Sequence, residues 1–228
     1  MIDLKERSKK IEILDGDDLP FEDVKSCIKE LNSINTVLGG HAITLHGIDC
    51  FYTDNKTSFT VCEIGSGGGD NLQAISKEFP HATFTGIDLK QSCIDFAKLQ
   101  YKDLHAEWIA SDYSKVKFKQ KPDIIFSSLF CHHFSNEQLV EMLKWMRENS
   151  RKGFFINDLQ RNSIAYYLIK WLTTIFSKSY MVKNDAPISV ARSFRKKDWQ
   201  LLFLKAGINN YSIKWKWAFR YLVVCKND

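Results

Sequence analysis

Short apolar runs alternate with amphipathic ones along most of this chain. Residues 59–64, Phe-Thr-Val-Cys-Glu-Ile, are followed by Gly65-Ser-Gly67-Gly-Gly69 and then by an amphipathic stretch over 71–79. That order predicts a strand, a glycine turn and a helix. Residues 83–87 predict a second strand ending at Asp88, and residues 107–110 a third running into Ser111-Asp112-Tyr113. Residues 123–127 predict a fourth, apolar on both faces as a buried central parallel strand is. Beyond it, 136–148 read as a helix with Ser135 as N-cap, and 153–157 as a fifth strand. Residues 194–206 read as a last helix stopped by Gly207, with closing strands over 210–217 and 218–225. Strands alternating with helices predict an α/β domain, doubly wound around a mostly parallel sheet.

Two additions flank this core. Residues 1–56 read as an N-terminal arm and helical cap, and 57–228 as the main domain. Residues 1–20 are charged and weakly patterned, which predicts an arm or a frayed start. Val24, Ile28, Leu31, Ile34 and Leu38 recur at helical spacing, with Pro20 before them and Gly39-Gly40 after. Residues 158–193 form an insertion. Its first half, 164–176, is apolar nearly all round, so a helix there must be buried, face a partner or cover an apolar ligand. A lid over a substrate pocket, a dimer contact and docking on a membrane surface are the roles open to it. It is too short for a membrane span and carries Lys170. Its second half, 185–193, reads as a loop. From there Asp185 and Arg192 either line the pocket or sit in an exposed turn.

The glycine turn carries the first chemical signal. Its pattern is acidic-x-Gly-x-Gly-x-Gly, and Asp70 stands where a dinucleotide fingerprint has its third glycine. A pyrophosphate wants bare backbone N–H groups, and Glu63 and Asp70 both repel it. Carboxylates suit a cation such as the ammonium of an amino acid. A ligand with an ammonium at one end and an adenosine at the other is S-adenosylmethionine. Asp88 lies about twenty residues beyond the turn, where an open α/β sheet places a carboxylate on ribose hydroxyls. Asp112 is positioned to accept from an adenine amino group, and Tyr113 to flank the base.

Val61-Cys-Glu-Ile-Gly-Ser-Gly-Gly-Gly69, Gly86-Ile-Asp-Leu89, Ala110-Ser-Asp-Tyr113 and Ile124-Ile-Phe-Ser-Ser128 occur in order. In these stretches the chain resembles the class I, Rossmann-like S-adenosylmethionine-dependent methyltransferases over roughly 57–228. The resemblance implies a seven-stranded sheet with an antiparallel last strand. It places Gly65, Gly67 and Gly69 under the methionine moiety, Asp88 on the ribose and Asp112 near the adenine. Glu63 acts through the ammonium or a bridging water. Leu89, Tyr113 and Ser127, within the same stretches, complete the expected cofactor set. Residues 32–41 and the insertion also resemble a bacterial subset, related to ubiquinone and menaquinone-biosynthesis methyltransferases, that acts on small aromatic, quinone or polyketide-type metabolites.

Composition agrees with one such domain: 228 residues, 44% hydrophobic, net charge +5. The densest basic run, residues 115–121, reads as a solvated loop, with an anionic surface or nucleic acid as the other reading. Six cysteines show neither a CxxC spacing nor a disulfide framework, and the charged N-terminus lacks the form of a secretory leader. A cytoplasmic protein, monomer or homodimer, is expected.

Methyl transfer to a hydroxyl also requires that the hydroxyl lose its proton, and histidine is the usual base. His132 and His133 follow the fourth strand, so either is a candidate; His41 and His46 come second. Cys131 reads as a packing residue. No metal is expected, because no cluster has ligand spacing and neighbouring histidines do not readily share one ion. The segment Ser127-Ser-Leu-Phe lacks the Asn/Asp-Pro-Pro-Tyr/Phe that, in the family, accompanies methylation of amino groups. The expected activity is O-methylation of a small, apolar or aromatic acceptor, leaving S-adenosylhomocysteine as product. An RNA or protein methyltransferase and a catalytically silent cofactor-binding scaffold are the rivals. A nucleotide-dependent oxidoreductase is weaker still, given Glu63 and the glycine pattern.

Overall fold

The computed structural model describes residues 3–16 and 19–227. Seven strands form one sheet in the order β3-β2-β1-β4-β5-β7-β6. They are β1 (Thr60–Ile64), β2 (Thr83–Asp88), β3 (Ala106–Ala110), β4 (Ile124–Ser128), β5 (Gly153–Leu159), β6 (Tyr211–Lys216) and β7 (Arg220–Lys226). The first five run parallel, while β7 lies antiparallel between β5 and β6. The strand order reverses between β1 and β4, and an open α/β sheet leaves its binding crevice beyond the strand ends at that point.

The alternation of side chains along the central strands builds two cores. Cys62, Ile64, Ile125, Phe154 and Ile156 face one way. They meet α5 (Asn136–Asn149) and α8 (Lys196–Ala206) through Leu139, Leu143, Met146, Trp199 and Phe203. Val61, Ile124, Phe126 and Phe155 face the other way, toward α2 (Gly40–Asp49) and α3 (Asp70–Glu78). The α5 helix starts in a capping box: the Ser135 hydroxyl accepts from Gln138 N, and the Gln138 side chain accepts from Ser135 N.

The predicted first helix is α1 (Phe21–Val37); Val24 and Ile28 pack on Cys93 and Phe96 of α4 (Gln91–Gln100). Gly39 has φ +73°, a left-handed turn that redirects the chain straight into α2. Two expectations need correction. The arm is not frayed over the described residues: Leu4 and Glu12 are buried, and the segment around them packs on the core. Residues 185–193 are not a loop either. They belong to α7 (Tyr180–Arg192), a helix that contains Pro187. Proline in a helix interior removes a hydrogen bond and argues locally for a break. The buried side chains Met181, Val182, Asp185, Val190 and Arg192 hold α7 in place nonetheless.

The α6 helix (Ser163–Phe176) packs against α7 but buries only Ala165 and Thr173, while Ile164, Trp171, Ile175 and Phe176 stay exposed. Among the described residues no helix is long and apolar enough to cross a membrane.

The α2–sheet contact gives a stability test. A Cβ on Gly47 would stand 2.5 Å from the Phe155 ring. Gly47→Ala is expected to lower unfolding free energy by about 1–3 kcal/mol through overpacking, read from urea denaturation. An unchanged midpoint would place α2 off the sheet.

Candidate active site

The glycine turn is shaped by its backbone. Gly65, Gly67 and Gly69 all have positive φ, at +68°, +50° and +81°. A Cβ on Gly65 would fall 2.2 Å from the Phe130 ring, so conformation and space both demand glycine there. Asp88, at the end of β2, fixes the turn from below. Its carboxylate accepts from Gly67 N at 2.8 Å and from Lys90 N at 2.9 Å. Burial raises its pKa, against the two backbone N–H groups that favour the anion.

Glu63 is 1% exposed; its Oε1 accepts from Asn71 Nδ2 at 2.8 Å, and its Oε2 has no hydrogen-bond partner. Burial, reinforced by Asp70, pushes its pKa well above the carboxylate range. An unpaired buried carboxyl oxygen costs free energy that a ligand's donor can recover.

Of the residues expected at the cofactor, Glu63, Gly65, Gly67, Asp88 and Leu89 line one cavity. Gly69 is absent from that wall, where Gly68 stands instead. So is Ser127: its side chain is fully buried, with its hydroxyl 3.2 Å from Cys131 Sγ. Alternation along β4 turns Ser128 to the cavity in its place. Asp112 and Tyr113 also lie outside the wall. Asp112 spends its Oδ1 on the N–H and hydroxyl of Ser114, and Tyr113 packs edge-on against Phe130, Phe134 and Trp145. Sequence reasoning passed over Asn35, Ile28 and Leu31, which close this cavity from α1.

A second cavity lies under α6 and α7, with an apolar wall from Leu31, Ile34, Leu168, Ile169, Leu172 and Val182. It shares Leu14, Leu31, Asn35, Leu129 and His133 with the first. The inner face of α6 therefore covers a cavity. Arg220 reaches the same cavity, 1% exposed, with Nη1 donating to Asn35 Oδ1 at 3.0 Å.

The two predicted histidines sit on the 3-10 turn Cys131–His133. His132 Nδ1 is 2.8 Å from Asp158 Oδ1, and its backbone N–H donates to Asp158 Oδ2 at 3.2 Å. His133 Nδ1 is 2.8 Å from Asp15 Oδ1, an ion-pair contact without the alignment of a hydrogen bond. Glu12 lies between the rings, 3.7 Å from His132 Nε2 and 4.0 Å from His133 Nε2. Burial pushes the Glu12 carboxyl up to about 7, with Asp15 adding to the rise against His133 and Arg192. For Asp158, burial acts upward too, but the His132 charge and hydrogen bond outweigh it and the pKa is lowered.

Arg192 fixes the turn: Nε donates to His132 O at 3.0 Å and Nη2 to His133 O at 2.6 Å. Its Nη1 meets Lys10 O at 2.9 Å and Asp15 Oδ2 at 3.2 Å. Asp185 accepts from Ile13 N and Leu14 N at 2.8 and 2.9 Å. Both residues are thus buried ties to the N-terminal segment, not parts of an exposed turn.

Of the lesser candidates, His41 Nε2 pairs with Asp70 Oδ2 at 2.7 Å, away from the histidine pair. His46 is exposed on α2, and Cys131 is fully buried with its thiol pushed up by burial, as a packing residue is. Neighbouring histidines do not readily share an ion, yet the turn draws this pair together with Glu12. Ligand atoms of Glu12, His132 and His133 all lie within 4.8 Å of one another.

Residues 61–153 match the family described as a methyltransferase domain. Sheet order and glycine turn give the chain the class I, Rossmann-like methyltransferase fold, and the match runs from β1 through β4 to the start of β5. It is 28% identical over 163 residues to trans-resveratrol di-O-methyltransferase of Vitis vinifera, covering 68% of this chain and 42% of that one. It is 24% identical over 102 residues to a malonyl-[acyl-carrier protein] O-methyltransferase of Acetivibrio thermocellus, covering 42% of this chain and 36% of the relative. The matched region thus spans about two-fifths of these relatives' length. In fold it is similar to the plantazolicin methyltransferase BpumL bound to a substrate analogue and S-adenosylhomocysteine. There the TM-score is 0.68 at 18% identity, over 90% of this chain and 96% of that one. Human N-acetylserotonin methyltransferase with S-adenosylmethionine gives 0.64 at 14% identity, over 91% of this chain and 56% of that one.

The Asp185 ties are testable apart from any activity. Asp185→Ala leaves the Ile13 and Leu14 N–H groups without their acceptor. It is expected to lower stability by about 1–3 kcal/mol and to speed amide exchange over residues 12–16. Unchanged exchange there would show that the segment is held by other contacts.

Proposed function

We propose that this chain transfers a methyl group from S-adenosylmethionine to a hydroxyl of a small, apolar acceptor. The observation that carries the reading is the junction of the two cavities. One has a glycine turn with buried acidic groups, the other an apolar wall, and they meet at Leu14, Leu31, Asn35, Leu129 and His133. The glycine turn receives the methionine end of the cofactor. Glu63 Oε2, buried and unpaired, is placed to accept from its ammonium, and Asp88 is the carboxylate nearest the expected ribose position. The adenine lies toward Leu89 and Phe134, with Asp112 and Tyr113 behind the wall.

The reaction asks little covalent chemistry of the protein. An acceptor oxygen attacks the methyl carbon as the carbon–sulfur bond breaks, and the sulfur keeps the electron pair. The protein's contribution is alignment and exclusion of water. The hydroxyl proton is released at the Glu12–His132–His133 cluster, which forms part of the apolar cavity's wall. Asp158 orients His132 and Asp15 orients His133, so both rings hold their Nε2 toward Glu12. The homologous O-methyltransferases support oxygen as the acceptor atom, and the apolar lining supports an acceptor of phenolic, quinone or polyketide type. Nothing in either cavity favours RNA or a protein acceptor.

Calorimetric titration with S-adenosylhomocysteine is expected to show 1:1 binding, weakened by about 1–3 kcal/mol in Asp88→Ala. Phenolic acceptors screened with labelled S-adenosylmethionine should then yield methyl ethers, and His133→Phe should lower turnover at least tenfold with cofactor affinity retained. Cofactor binding without turnover on any acceptor would favour a silent scaffold. No cofactor binding by the folded protein would overturn the reading.

A further inference from the structure

The cluster at the junction has a feature that proton transfer alone does not explain. His132 gives its Nδ1 to Asp158 at hydrogen-bond distance, so in the neutral ring the Nε2 carries a lone pair. His133 has Nδ1 turned to Asp15 at 2.8 Å, and its Nε2 faces inward likewise. Both nitrogens point at the Glu12 carboxylate, itself a set of acceptors. Three potential ligand groups thus converge, the two Nε2 atoms and the Glu12 carboxyl. Glu12 is 4% exposed, and its Oε1 has no hydrogen-bond partner.

The distances separate two explanations. A shared proton draws nitrogen and oxygen to roughly 2.7–3.0 Å. The separations here are 3.7 and 4.0 Å, although the outer contacts of the same rings are both 2.8 Å. Ligands about 2.0–2.1 Å from a tetrahedral ion stand roughly 3.4 Å apart. The cluster is therefore too open for hydrogen bonds, while its ligand atoms all lie within 4.8 Å of one another, a separation that a small inward movement brings to the spacing around one cation.

We propose that Glu12, His132 and His133 bind a divalent transition-metal ion of the zinc type through Glu12 Oε1 or Oε2 and the two Nε2 atoms. Two imidazoles and a carboxylate are borderline donors that suit zinc or its neighbours rather than magnesium. Each ring also carries a carboxylate on its far nitrogen, Asp158 or Asp15, the outer arrangement that orients metal-binding histidines. Three protein ligands leave a fourth position open. His133 borders both cavities, so that position adjoins the acceptor. An ion held there by Glu12, His132 and His133 would supply Lewis-acid stabilisation to an oxyanion. Sequence spacing did not reveal the site, because Glu12 lies 120 residues before His132 and adjacent histidines on a helix or strand diverge. The 3-10 turn brings their rings to 4.4 Å, and Asp185 and Arg192 bring the N-terminal segment to them.

The inference concerns binding alone, so its test contains neither cofactor nor acceptor and stands whether or not methyl transfer does. The full chain, stripped with a chelator and dialysed, is titrated with zinc by calorimetry and with cobalt(II) by visible absorption. One equivalent of zinc is expected to bind, and cobalt to give ligand-field bands of a low-coordinate nitrogen and oxygen site. Glu12→Gln and His133→Gln, checked for folding by circular dichroism, are expected to weaken binding at least tenfold. Asp15→Asn is expected to weaken it by about 10- to 100-fold. His46→Gln, on the surface, should leave it unchanged. A folded wild type that binds neither ion overturns the proposal. So does binding that survives both ligand substitutions or is lost with His46.

Discussion

The Arg192 guanidinium is the contact on which the rest of the site depends. It holds the carbonyls of both histidines, the carbonyl of Lys10 and the Asp15 carboxylate at once. Those partners come from the turn after β4 and from the N-terminal segment, which are more than a hundred residues apart in the chain. Its charge is neutralised by Asp15 and its N–H groups are used by carbonyls, which is what makes a buried arginine tolerable. Arg7 repeats the device, donating to His132 O, Phe134 O, Arg192 O and Asn136 Oδ1. The N-terminal segment is thereby a wall of the site, and the cluster of Glu12 with the two histidines exists because of it.

A second constraint comes from the left-handed glycines after β1. They let the chain turn sharply while Asp88 holds Gly67 N from the neighbouring strand. The crevice at the sheet's reversal point is then bounded by carboxylates below and by α1 above. The apolar cavity needs a different kind of wall. It comes from α6 and α7, packed on each other, with α7 also on α1, so the apolar cavity is built largely from elements outside the sheet.

Much of the fold was legible in the sequence, because the sheet is set by local patterns. Apolar runs mark β1 to β5, closed by Gly65 after β1 and by Asp88 at the end of β2, and Ser135 marks the start of α5 through a cap that depends on four consecutive residues. The glycine turn, Glu63, Asp88 and Leu89 were legible for the same reason. What escaped the sequence depends on distant partners. Asp185, Pro187 and Arg192 look like a loop locally, yet α7 is held by burial and by ties to residues 10–15. Ser127 and Ser128 differ only by strand alternation, so one residue of register decided which meets the cavity. Asp112 carries the acidic signal of an adenine contact but uses its carboxylate on Ser114. Glu12 and Asp15 gave no signal at all, since two acidic residues in a charged segment are ordinary until folding brings histidines to them.

The central claim is that the methyl group crosses from the glycine-turn cavity into the apolar one at His133. A crystal structure with S-adenosylhomocysteine bound tests it most directly. The account places the sulfur at the junction of Leu31, Asn35, Leu129 and His133, facing the apolar cavity under α6. A sulfur turned away from that junction, or a ligand that closes it off from the apolar cavity, would contradict the account.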